Sequence, residues 1–144
     1  MKQQAYANHR RYVPMYHGVL FFLLVVTFIG SCVNLSMSFG DHQRIYSASL
    51  ITAICLILGL TYAFVRIFPI RVQDRAIRAE ENLRHYVLTG KLLDPRLTIR
   101  QIIGLRFASD EEFPELSRRA AEENLSEEKI KQAVKNWRAD YHRA

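Results

Sequence analysis

The chain has 144 residues and a formal net charge of +6, a length that suits one structural unit. Its mean hydropathy is close to neutral, but that average hides two apolar blocks in the first half and a polar second half. The basic excess borders the apolar blocks: Lys2, Arg10 and Arg11 precede the first, and residues 71 to 106 carry eight Lys/Arg against four Asp/Glu, whereas residues 107 to 144 carry seven against nine. Charge placed this way suits anionic lipid headgroups, at about 1 kcal/mol per residue, and argues against the dense basic face of a nucleic-acid binder.

Residues 1–14 read as an N-terminal segment, followed by a first span over 15–39 that contains no Asp, Glu, Lys or Arg. A second span over 47–68 is charged only at Arg66. Each is long enough for a hydrocarbon core of about 30 Å. The loop 40–46 is so short that the two helices must be antiparallel neighbours. Arg44 is the only basic side chain in that loop besides His42, whereas Arg66, Arg71, Arg75 and Arg78 follow the second span. The positive-inside rule then places both termini in the cytoplasm and the loop outside. Arg10, Arg11, Arg66, Arg71, Arg75 and Arg78 form the expected basic collar at the headgroups. Tyr12, Tyr16, Tyr46 and Tyr62 fit an aromatic belt. Ile29-Gly30-Ser31-Cys32 resembles a lipoprotein cleavage box, but the apolar run continues past the cysteine, and an intact anchor is expected.

A polar stripe runs through the hairpin. Thr27, Ser31, Asn34 and Ser38 recur at helical spacing, as do Ala48, Thr52, Cys55 and Gly59. Pairing them in antiparallel order gives facing numbers that add to 86 at every rung. Small residues there permit close helix packing, and Asn34 is a candidate for a bond across the pair or to a neighbouring subunit. A polar path for a solute is the competing reading, but no ionisable residue lies at mid-membrane.

After Pro69, residues 69–90 predict an amphipathic helix continuing the second span, with Ile70, Ile77, Leu83 and Val87 on its apolar side. Asp74–Arg78 and Glu80–Arg84 are acid-before-base pairs one turn apart. Gly90 suits a C-cap. The tail, 91–144, predicts three short helices. Thr98 and Gln101 form a capping box, with Leu97 and Ile102 as its staple. A second helix starts near Ser109 and Pro114. A third starts at Ser126 and carries Ile130, Ala133, Val134, Trp137 and Tyr141 at helical spacing.

No catalytic, cofactor-binding or metal-binding residues are expected. The histidines form no HxxxH or HExxH pair, Cys32 and Cys55 stand apart, and no phosphate loop or nucleophile motif occurs. Asp110, Glu111, Glu112 and Glu115 match a helix N-terminus better than a calcium loop. Trp137, Arg138 and Tyr141 are candidate docking residues, being typical interface anchors.

The segments KQQAYANHRRYVPMYH, VQDRAIRAEENLRHYVLTGK, DPRLTIRQIIGLRFASDEEFPEL and KIKQAVKNWRADYHR resemble an uncharacterised family of small two-span bacterial membrane proteins, a domain of unknown function found mainly in Bacteroidota. The resemblance covers nearly the whole chain. It implies a multi-pass location in the cell inner membrane and supplies no activity. The fold class expected is an all-α membrane protein: an antiparallel two-helix transmembrane hairpin followed by a small cytoplasmic helical domain. The expected role is a non-catalytic accessory or scaffold subunit whose tail binds a larger membrane complex or other copies of itself. Alternatives are a homo-oligomeric pore or transport component, and a membrane tether for a cytoplasmic machine such as the ribosome. Expected partners are a bilayer with anionic headgroups and another membrane protein or a homo-oligomer, not nucleic acid.

Overall fold

The computed structural model describes Tyr6 and residues 12 to 140. Five α-helices follow one π-helical segment in these residues, and the only strand-like feature among them is an isolated bridge between Ala108 and Trp137. The fold is all-α, as expected. It divides into two compact units, one of residues 11 to 68 and one of residues 69 to 144 together with the first ten.

The unit of residues 11 to 68 is a pair of helices. The first begins as the π-helical segment Met15–Leu20 and continues as α1, Phe21–Met37. The second, α2, starts at His42 and runs to Thr89, so only its first part belongs here. Both are long and apolar enough to cross a membrane. The connection is shorter than the 40–46 loop read from the sequence. Gly40 takes a φ of +99°, open to glycine at little cost, and the Asp41 carboxylate accepts from the backbone N–H of Gln43 and Arg44 at 3.1 and 3.2 Å. Asp41 is therefore an N-cap, and α2 begins with a polar turn that the apolar pattern could not reveal.

The seam between these helices is displaced from the expected register. Thr52 Oγ1 donates to the carbonyls of Ala48 at 3.0 Å and Ser31 at 3.3 Å. The Phe21 and Tyr62 rings lie 6.1 Å apart. An open apolar groove of about 320 Å³ is lined by Leu24 and Phe28 opposite Cys55 and Gly59. The two contacts, Ser31–Thr52 and Phe21–Tyr62, both add to 83 rather than 86, a slip of nearly one turn, and the groove residues fit the same register. Ser31, Ser38, Ala48 and Cys55 are buried and Thr52 is half-buried, whereas Thr27, Asn34 and Gly59 are exposed. In α1, Leu24 and Leu35 are half-buried while Thr27 and Asn34 face outward. Ser31 and Ser38 belong to both stripes, so polarity alone could not choose between them. Their hydroxyls donate within α1, to Phe28 and Asn34 carbonyls, both at 2.7 Å.

At the far end Tyr16 stacks on Tyr62, centroids 4.4 Å apart, and each hydroxyl donates to the other's carbonyl oxygen. The π-helix accounts for this: residues five apart, such as Tyr16 and Phe21, come to one side in an i→i+5 turn but diverge in an α-helix. Both can then meet Tyr62.

In the other unit, α2 carries through Pro69 without interruption, and three short helices follow: α3 (Ile99–Leu105), α4 (Phe113–Glu122) and α5 (Glu127–Ala133). The capping box of Thr98 and Gln101 is formed, and Ser126 caps α5. Gln101 does more than cap. It is buried, and its amide donates to the carbonyls of Ala120 and Leu125 at 3.2 and 3.0 Å, satisfying the end of α4. Leu97, Ile102, Leu105, Phe113, Leu116, Ala120, Ile130 and Val134 share the core with Ile77 and Leu93. Two expectations are corrected. The second helix starts at Phe113 with Pro114 in its first turn, where a missing N–H costs nothing. The third ends at Ala133, because Val134 is extended. Trp137 reaches the core through the bridge to Ala108, not on a helical face.

Candidate functional site

The expected apolar side of the 69–90 helix is only partly the side that packs. Ile77 is buried, but Leu83 and Val87 are exposed. The packing face is largely polar: Glu81 is buried, and Asn82, Arg84 and His85 are half-buried. Asn82 accepts from the Leu93 N–H at 2.9 Å. The His85 ring meets Phe113 edge-on, centroids 5.8 Å apart.

Arg84 is the hub of this face. It pairs with Glu81 at 2.9 Å and Asp110 at 2.7 Å, donates to the Ala108 carbonyl at 2.7 Å, and lies over the Phe113 ring. The expected partner Glu80, one turn back, is displaced by these longer-range groups. A guanidinium suits the position because its planar fork serves several acceptors while its face covers an aromatic ring. The arrangement binds α2 to the loop before α4, and every partner is internal. It is a structural clamp.

The three docking candidates divide. Trp137 is half-buried and its ring lies 4.7 Å from that of Phe107. The Arg138 N–H donates to the Phe107 carbonyl at 2.8 Å, and its exposed guanidinium comes within 3.5 Å of Glu81. Both therefore hold the chain end onto the tail core, and Tyr141 lies outside the described residues. Of the basic collar, Arg71, Arg75 and Arg78 are exposed and Arg66 half-buried, while Arg10 and Arg11 also fall outside the described residues.

A cavity of about 340 Å³ is lined by Glu80, Glu81 and Asp140 together with Arg106 and Arg138, so its charges largely answer one another. Arg106 lies 3.1 Å from Asp140. Among the described residues no group of three His, Cys, Asp or Glu could hold a metal ion. Cys32 is exposed and Cys55 buried, both free thiols.

What sequence reasoning missed is a second, exposed face on α2 after Pro69. Val72, Ala76, Ala79, Leu83 and Tyr86 lie on it, at alternating spacings of four and three that the sequence already contained. The class defined by these features is an all-helical protein with two long apolar helices and a small, polar-clamped helical tail. The chain belongs to the family described as a family of unknown function (DUF6526), which it matches over residues 1–144. Comparison with curated proteins and with solved structures finds no match.

Proposed function

We propose that the chain is a non-catalytic accessory or scaffold subunit of the bacterial inner membrane. The paired helices anchor it, both termini lie in the cytoplasm, and the tail presents a surface to other proteins. One observation carries the anchor: of the most apolar stretch of each long helix, only 6% and 11% is buried. A core helix of a water-soluble protein hides such a stretch from water, whereas here Phe22, Ile57 and Leu60 stand exposed with most of their neighbours. A bilayer supplies the missing apolar surroundings. Exposed Arg71, Arg75 and Arg78 just past the second apolar stretch support the inward orientation. The resemblance to two-span bacterial proteins agrees with this location.

The scaffold reading is favoured over the pore because neither span carries Asp, Glu, Lys or Arg at mid-membrane, where transport usually needs an ionisable group. The test is isolation of the full chain from membranes. Retention after alkaline carbonate, maleimide labelling of Ser47→Cys from outside only, and stoichiometric recovery of a second chain are expected. Release by carbonate would overturn the anchor. Conductance in liposomes would replace the scaffold with the pore, and salt-sensitive RNA recovery would replace it with the tether.

A further inference from the structure

The stretch of α2 from Ile70 to Thr89 is about 30 Å long by the helical rise and has two opposed faces. Ile77, Glu81, Arg84 and His85 pack onto the tail. On the other side Val72, Ala76, Ala79, Leu83 and Tyr86 are all exposed, with Leu83 at 64% and neighbouring Val87 at 74%; Ala76 and Glu80 lie at the strip's edge, where they also border the cavity beside Arg138 and Asp140. Their spacings of four, three, four and three put them on one face of the helix, at the a and d positions of two heptads.

We infer that this strip pairs with the same strip of a second copy of the chain, the two helices running parallel. The inference rests on the membrane-anchor reading, because copies inserted with one topology present this helix in one direction. The charges fit that pairing. With Ala76 and Leu83 at a positions and Val72, Ala79 and Tyr86 at d, Arg75 falls at g and Glu80 at e. In a parallel pair each g residue meets the e residue five places later in the other chain, so Arg75 of each copy meets Glu80 of the other. Twofold symmetry makes that contact twice. Ala76 and Ala79 keep the centre of the seam narrow enough for close approach. A bilayer would also cover an apolar strip, and Arg71, Arg75 and Arg78 suit its headgroups, but Glu80 borders the strip where a helix lying on lipid carries a further cation.

The test uses the full chain in native membranes with Cys32→Ser and Cys55→Ala, and single cysteines introduced by Ala79→Cys, Leu83→Cys or Arg78→Cys. Oxidation is expected to give covalent dimers from the first two and none from Arg78→Cys. In the Ala79→Cys background, Arg75→Glu and Glu80→Arg should each lose the dimer, and the two together should restore it. Absence of a seam dimer, equal dimer at all three positions, or indifference to the charge reversals would overturn the pairing. So would a Leu83→Cys that is shielded from aqueous maleimide yet stays monomeric, since lipid would then cover the strip. Carbonate extraction of the same membranes reports separately on the anchor, and the crosslinking pattern decides the pairing whichever way extraction falls.

Discussion

The Arg84 guanidinium lies 4.3 Å from the centre of the Phe113 ring while its edge bonds Glu81 and Asp110. The side chains of Glu81 and Arg84 are only 7% and 11% exposed, so their charges depend on each other and on the outer partners Asp110 and Arg138. Losing one partner of such a pair costs about 3–5 kcal/mol, because a buried charge is left behind. Arg84→Met is therefore expected to lower the unfolding midpoint of the tail sharply. Glu81→Gln combined with Arg84→Met should cost less than the two changes summed. Denaturant melts of the full chain in detergent, read by fluorescence of its single tryptophan, Trp137, measure this. Simple additivity would contradict the clamp.

Gly104 sets how closely α3 approaches α5. A Cβ there would sit 3.1 Å from the Glu127 carbonyl oxygen and 3.2 Å from Ile130. The backbone oxygen cannot swing aside as a side-chain tip could. Gly104→Ala is expected to destabilise the tail by about 1–3 kcal/mol, as overpacking does, despite alanine's better helix propensity. Gly30→Ala meets nothing within 4 Å and serves as the matched control in the same melts. A Gly104→Ala midpoint at or above that of the parent would show that α3 and α5 can part without cost.

Local signals in the sequence were reliable where a few neighbouring residues decide the outcome. The Thr98–Gln101 box and the Ser126 cap depend on residues three apart, and both form. The apolar blocks gave two long helices for the same reason. Failures came where one helix must choose which face to give a partner. Leu83 and Val87 make an apolar side on paper, yet Glu81 and Arg84 pack inward, because Asp110, the Ala108 carbonyl and Arg138 meet them from distant sequence. Asn34 suits the seam by its polarity, yet it is exposed while the adjoining Leu35 is half-buried. Trp137 follows helical spacing on paper, but the extended Val134 breaks the helix before reaching it.

The corrected register makes opposite demands on two residues of the hairpin. Ala48 is 1% exposed, against α1, so Ala48→Leu should separate the helices at a cost of about 1–3 kcal/mol. Asn34 is exposed, so Asn34→Leu should leave the stability of the monomeric hairpin within about 0.5 kcal/mol, the range for substitutions away from packed features. Thermal melts in detergent by circular dichroism separate the two. Ala48 is a seam residue in either register, so Asn34 decides between them: an Asn34→Leu that loosened the monomer would return the register adding to 86.

Asp94 gives the tail a distinct response to acid. Its carboxylate accepts from the Arg96 guanidinium at 2.7 to 3.2 Å and from the Arg96 backbone N–H at 2.9 Å, while its carbonyl accepts from Leu97. The guanidinium, and then the backbone N–H, hold the carboxyl down to about 2, against roughly 3.9 in an unfolded chain. Because the folded value is the lower one, the stabilisation is complete above the unfolded value and fades as pH falls from about 4 towards 2. Glu115 is also lowered, by Arg118, so an acid melt of the parent alone mixes contributions. The difference between the parent and Asp94→Asn isolates this turn. Measured by Trp137 fluorescence at a series of pH values, that difference should be constant from pH 7 to about 5 and shrink towards zero near pH 2. A gap that persisted unchanged at pH 2 would mean that the Asp94 charge contributes nothing and that only the neutral turn holds Leu97 in the core.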